Sequence, residues 1–281
     1  MRKIIFFVLL STAILAGLFF YQSIKFSDNK LHIVFCDIGQ GDGILIRTPG
    51  GADIIVDGGP DSSILNCLSR HLPLWDRDIE VMYLTHPDAD HLTGLISIIK
   101  TYNVKYFGTS DAPKGTLVFE ELNRQLALHK ITKHFVFRGD EIKTSDGFSM
   151  TTFWPTTEFV KSGGNDDVNY YSLIQEISYG KFHALLDGDS PYQVLNPVMG
   201  LISNLDVFKP PHHGSKTGVD ELTFAHLVPR LAVLSYGLHN RYHHPAPQVL
   251  ELLKRFKIPY KDTLKGDVEI VSDGFKFWIK N

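Results

Sequence analysis

An uncharged apolar run from Ile4 to Phe20 opens the chain, directly behind Arg2 and Lys3. It is slightly short for a helix that crosses a bilayer, which needs roughly 17–25 residues, but Tyr21 to Ile24 extends it. Positive charges on its N-terminal flank predict that the chain beyond it lies on the non-cytoplasmic side. A cleaved signal peptide wants a small-x-small site near the end of the run. The residues there, Gly17-Leu18-Phe19-Phe20-Tyr21-Gln22, are bulky. Residues 1–24 therefore read as an uncleaved membrane anchor. The alternative is a signal whose removal leaves a secreted or periplasmic protein. Residues 25–30 form a short polar linker, and 31–281 read as one domain.

Beyond the linker, short apolar stretches alternate with longer helix-patterned ones. Strands are predicted at 32–37, 44–47 and 53–57, a helix over 62–71, a strand at 79–84 and a helix over 91–100. A strand at 104–107 and a helix near 116–130 follow. From Phe148 the pattern turns to β, with strands at 148–154, 172–179 and 182–187. Strand 205–209, helix 218–227, strand 230–236, helix 246–256 and a closing pair of strands (267–272, 275–280) complete the chain. Two groups of strands, each flanked by helices, predict an α/β architecture of two sheets packed face to face with helices outside. There is also an internal echo: Ile54-Ile55-Val56-Asp57-Gly58-Gly59 resembles Ala184-Leu185-Leu186-Asp187-Gly188-Asp189. Each copy is followed by a histidine-bearing loop, and two similar halves would bring both loops to one edge.

Composition changes this picture little. The 281 residues are 43% hydrophobic and 21% charged, with a net charge of −3, which is ordinary globular material. Lysine and arginine are scattered, so no basic stripe advertises a duplex-binding surface. The two cysteines, Cys36 in an apolar strand and Cys67 in a predicted helix, are too few for a cysteine-rich zinc module. They read as buried free thiols rather than as a disulfide.

Candidate chemistry concentrates in His86-Pro87-Asp88-Ala89-Asp90-His91, at the end of one apolar strand and the start of a helix. Imidazole nitrogen and carboxylate oxygen together are a ligand set for divalent metals. A polar turn with Asp90 merely capping the helix leaves both histidines and Asp88 idle. Three further pieces would meet this loop: Asp189, the pair His212-His213, and His244.

In this order the residues resemble the metallo-β-lactamase superfamily over nearly all of 31–281. Asp37-Ile38-Gly39-Gln40-Gly41-Asp42, the His86–His91 loop, Asp187-Gly188-Asp189, Lys209-Pro210-Pro211-His212-His213-Gly214-Ser215 and Tyr242-His243-His244-Pro245 resemble, more narrowly, the hydrolase domain of ComEC-type competence (DNA-uptake) proteins. The resemblance implies an αββα sandwich with one or two divalent metal ions. By position, His86 and Asp88 would hold the first ion and Asp90 and His91 the second. Asp189 would bridge them, and either His212 or His213 would complete the second site. Asp57, with Asp42, would lie just outside and orient ligand histidines. His243 reads as a surface residue; His244 would contact substrate or donate a proton. The superfamily's second histidine is Asp88 here, and no histidine precedes the strand beginning at Ser172; the ComEC-type domains share both features. Oxygen in place of imidazole hardens the first site and favours Mn²⁺ over Zn²⁺.

Paired cations suit phosphodiester hydrolysis, and Lys209, Ser215 and Lys216 are placed to receive phosphate oxygens or to be plain loop residues. The expectation is an exported, membrane-anchored metal-dependent hydrolase of phosphodiesters, single-stranded DNA among them, with Asp90 and His244 as catalytic residues. The alternatives are a hydrolase of a small ester, lactone or cell-envelope phosphoester, and a non-catalytic binding protein on the same fold. No obligate protein partner is evident in the sequence.

Overall fold

The computed structural model describes residues 1–113 and 115–280. In chain order it comprises α1 (Arg2–Phe26), β1 (Leu31–Phe35), β2 (Gly43–Arg47), β3 (Asp53–Gly58), α2 (Ile64–His71), β4 (Asp78–Ile79), β5 (Val81–Leu84), α3 (Ala89–Thr101), β6 (Asn103–Val104), β7 (Phe107–Thr109), α4 (Leu117–Leu128), β8 (Lys133–Phe135) and β9 (Glu141–Lys143). The second half adds β10 (Phe148–Trp154), α5 (Thr157–Lys161), β11 (Ile174–Tyr179), β12 (Phe182–Leu186), α6 (Tyr192–Leu195), β13 (Val207–Phe208), α7 (Glu221–Leu227), β14 (Leu231–Leu234), α8 (Pro247–Arg255), β15 (Tyr260–Asp262), β16 (Val268–Ser272) and β17 (Phe277–Lys280). An eight-stranded sheet runs β17-β16-β1-β2-β3-β5-β7-β8 and a seven-stranded one β15-β14-β13-β12-β11-β10-β9.

Alternation along the strands divides the core into three layers. Leu31, Ile33 and Phe35 of β1 point at the second sheet, meeting Phe148, Ile177, Phe182 and Leu186. Val34, Cys36, Leu45 and Met82 point the other way, onto Leu92, Leu95 and Ile99 of α3 and Leu122 of α4. On the far side Leu185, Phe208 and Leu234 pack under Phe224 of α7 and Val249 and Leu253 of α8. The fold is the expected αββα sandwich.

Three expectations change, and the closing pair of strands stands as expected. Cys36 and Cys67 are not free thiols but a disulfide, with Cα atoms 5.8 Å apart. Cys36 lies on the face of β1 that α2 covers, so the pair meets across a helix–sheet contact. The strand expected at 79–84 is two: β4 pairs with β6 in a small ladder of its own, and only β5 joins the large sheet. Strands β8, β9 and β15 were not expected; their residues are largely exposed, so they lack the apolar period that marks inner strands. The closing pair β16–β17 returns to the first sheet beside β1.

Strand direction fixes where chemistry can gather. β3 and β5 are parallel, and β1 runs the same way because β2 is antiparallel to both β1 and β3. Their C-terminal ends open onto Asp42, Asp57 and His86 at one edge. The C-terminal end of α1 and the start of β1 lie at the opposite edge.

Candidate metal centre

Backbone closeness sets the first half of the site. A Cβ on Gly94 would lie 1.8 Å from the Gly58 carbonyl oxygen, so α3 touches the end of β3 only because both residues are glycine. One helical turn earlier, His91 then falls over Asp57. Its Nδ1 lies 2.7 Å from Asp57 Oδ2. The other Asp57 oxygen accepts the Thr85 N–H at 2.8 Å, and the Thr85 hydroxyl donates to Asp57 Oδ2 at 2.7 Å. That hydroxyl, its proton committed, is the acceptor for His86 Nδ1 at 3.1 Å. On the glycine loop after β1, a Cβ on Gly41 would lie 2.1 Å from the Asp90 carbonyl oxygen, to which Asp42 also donates its N–H.

The second half brings Asp189 and the histidine pair. Asp189 donates its N–H to Ser172 Oγ at 3.1 Å. His212 and His213 both adopt positive φ (53° and 58°), a turn that points their rings apart. His213 is buried and donates Nδ1–H to the Ser235 carbonyl at 3.1 Å. Its Nε2 lies 3.5 Å from both Asp90 Oδ2 and Asp189 Oδ2. His212 Nε2 lies 3.7 Å from Asp189 with the side chain 29% exposed. Of the two, His213 is the one built into the centre.

The result is a convergent set of bare donors. His86, His91 and His213 each have Nδ1 held by an oxygen, and the Nε2 of each is buried with no hydrogen bond among the described residues, as is Asp189 Oδ1. His91 Nε2 stands 3.3 Å from Asp189 Oδ1. Ligand atoms of His86, His91 and Asp189 lie within 4.8 Å of one another, as do those of Asp90, His91 and His213. Asp88, with Oδ2 3.6 Å from His86 Nε2, stands at the rim, its side chain 34% exposed. Its backbone, not that of Asp90, occupies the N-cap of α3.

Electrostatics point the same way. Burial alone would lower the His213 and His91 imidazoles, but Asp189 with Asp42 lifts His213 to about 9, and Asp189 with Asp57 lifts His91 well above the usual range. Buried carboxylates thus favour positive charge at these rings, the kind of charge a divalent cation would supply. These residues fit one or two such ions.

Two expected roles, those of Lys209 and Ser215, take a different shape. Lys209 is only 1% exposed; its Nζ lies 2.5 Å from Asp42 and donates to the Gly188 carbonyl at 3.2 Å. It is therefore not available to phosphate oxygens, because its charge is spent holding Asp42 ionised, at about 2 against the upward push of burial. Ser215 is likewise buried, its hydroxyl 2.9 Å from that of Thr217. His244 stands 5.4 Å from His212, ring centre to ring centre, and burial plus its histidine neighbours pull it down to about 4. His243 is exposed.

What sequence reasoning missed is the cleft outside the centre. It measures about 590 Å³ and is bounded by Gln40, Pro60, Asp88, Asp90, Arg241 and Tyr242, among others. Tyr242 lies nearly parallel to the His244 ring at 5.7 Å, and the Arg241 guanidinium stands 4.9 Å from the Tyr242 ring centre. The only sequence signal was their adjacency to His244.

Two layered sheets with this constellation at one edge define a protein of the metallo-β-lactamase fold. Among solved structures the metallo-β-lactamase fold protein YhfI from Bacillus subtilis matches with a TM-score of 0.59 at 14% identity, covering 88% of this chain and 99% of that one. In sequence the chain is similar to two ComEC-type competence proteins. It is 27% identical to ComE operon protein 3 of Bacillus subtilis over 265 residues, 86% of this chain and 32% of that protein. It is 26% identical to Recombination protein 2 of Haemophilus influenzae over 244 residues, 83% of this chain and 28% of that one. The chain thus spans about a third of the length of these relatives. No family model matches it.

Proposed function

We propose that the protein is a metal-dependent hydrolase of phosphodiesters, with single-stranded DNA as a substrate, held at the membrane by α1 with its body outside the cytoplasm. The observation that carries the catalytic part is the convergence of three bare, buried Nε2 atoms on Asp189 and Asp90. His86 and Asp88 with Asp189 would hold one ion, and Asp90, His91 and His213 with Asp189 the other. Divalent cations in such a set acidify water and shield charge building on a phosphodiester. The chain's own contribution is positional. Asp57 and Thr85 fix two imidazoles in the Nε2-ligand tautomer, and Ser235 fixes the third. Lys209 holds Asp42 charged beside His213.

Arg241 and Tyr242 favour a substrate with phosphate and flat rings, and the names of the two competence relatives favour DNA. The Cys36–Cys67 disulfide favours an oxidising compartment, in agreement with the charge flank of α1. The test is to compare Asp90→Ala and Asp189→Ala with the parent on a phosphodiester, measuring metal content and circular dichroism alongside. Turnover is expected to fall by several orders of magnitude on an unchanged fold. Asp90→Ala protein that is folded, metal-poor and fully active would leave the binding-protein reading ahead.

A further inference from the structure

The loop between α2 and β4 carries two large apolar side chains left partly exposed, Leu74 (63%) and Trp75 (47%). They sit against α1. The Trp75 ring lies 4.7 Å from that of Phe19, the Leu74 N–H donates to Gln22 Oε1 at 2.8 Å, and Lys25 Nζ donates to the Arg70 carbonyl at 3.4 Å. These contacts follow the last two turns of the helix in register, so the loop is level with the end of the apolar run. At 25 residues α1 is about 37 Å long, against a hydrocarbon layer of about 30 Å. The turns that touch Leu74 and Trp75 therefore lie where acyl chains give way to headgroups. Tryptophan is enriched at that depth because its ring is apolar and its N–H is not. Exposed Lys25 and Arg77 flank it on the water side.

We infer that Leu74-Trp75 is a foot that rests in the interface of the bilayer holding α1. The occupant is the phospholipid surface itself, since the patch continues the surface of the helix that enters it. The foot lies at the edge opposite the metal centre, so it stands the domain with its cleft turned away from the lipid. The inference rests on α1 being a membrane anchor and on nothing in the chemistry of the site.

The test uses the full chain in liposomes of ordinary or dibrominated phosphatidylcholine, whose bromines quench only tryptophans in contact with lipid. Trp75 is one of three tryptophans. Brominated lipid is expected to remove up to a third of the emission, more strongly for shallow than for deep bromines, and Trp75→Phe is expected to abolish that loss. Emission insensitive to bromine in protein that still floats with the liposomes overturns the foot and leaves the anchor standing. A loss that persists in Trp75→Phe assigns the contact to another tryptophan and also overturns it. Protein that no longer floats and lacks its first residues by N-terminal sequencing overturns both.

Discussion

Asp57 is the residue through which most of the centre is held. It accepts from the Thr85 backbone and hydroxyl, pairs with His91, and through Thr85 fixes His86. Replacing it by alanine removes no ligand but frees two imidazoles to rotate. Loss of a partner of this kind costs roughly 10–100-fold in metal affinity, so calorimetric titration of Asp57→Ala with Mn²⁺ is expected to show that weakening with the stoichiometry kept. A sharper comparison is His213→Ala against His212→Ala. The first is expected to lose the second ion, and the second to keep it, since only His213 has its Nδ1 anchored and its Nε2 bare. Metal content by mass spectrometry reads both; equal losses would count against the geometric choice. At this scale the candidate ligands were conspicuous in sequence, because His and Asp crowd into six positions after a strand. The sequence did not separate His212 from His213, since the two share the same turn and differ only in burial and in the Ser235 carbonyl that holds His213 Nδ1. It also did not reveal that Lys209 is buried, because a lysine's partner across a fold leaves no local trace.

Two fastenings tie β1 to its neighbours, and both can be cut. The Cys36–Cys67 bridge joins residues 31 apart, and loop-closure entropy puts its contribution at about 3–4 kcal/mol. The Cys36→Ser/Cys67→Ser double variant should unfold at correspondingly lower urea. The other is a cluster in which Glu269 of β16 meets His32 of β1 at 2.6 Å and His71 of α2 at 3.5 Å, with Asp267 2.9 Å from His71. Burial lowers His71 by itself, but Asp267 and Glu269 override it and raise the imidazole above 6.5; Glu269 in turn is depressed below 4.5, its histidine and lysine neighbours outweighing burial. A raised histidine stabilises fully below its unfolded pKa and loses that as pH rises through the folded value. A depressed carboxylate stabilises above its unfolded pKa and loses that as pH falls. The cluster therefore contributes most between about pH 4.5 and 6.5. The gap in urea midpoint between the parent and His71→Gln should be widest near pH 6 and shrink above it; a gap that grows with pH would reverse the assignment. The main strands and helices were legible because their apolar periods are strong. The edge strands β8, β9 and β15 were not, since they pair through backbone while their side chains face water. The echo between β3 and β12 did bring two loops to one edge, yet its matched aspartates differ. Asp57 orients His91, whereas Asp187 is buried and pushed well above the carboxylate range by burial.

For the whole molecule the open variable is the metal. A carboxylate at Asp88, and no histidine before Ser172, predict that Mn²⁺ restores more activity than Zn²⁺ to chelated protein. Reconstitution with each ion on the same phosphodiester decides this, and zinc ahead on several substrates would defeat the hardness argument. The donors come from both layers of the sandwich: His86, Asp90 and His91 from the first, Asp189 and His213 from the second. Their meeting place is a seam. An ion seated there acts as a rivet through both plates, adding stability in proportion to RT ln(1 + [metal]/Kd), about 2.7 kcal/mol at a hundredfold excess over Kd. Chelation would then do more than silence the enzyme. It would loosen one half from the other and leave the chain open to proteolysis, so that metal supply governs how long each molecule lasts.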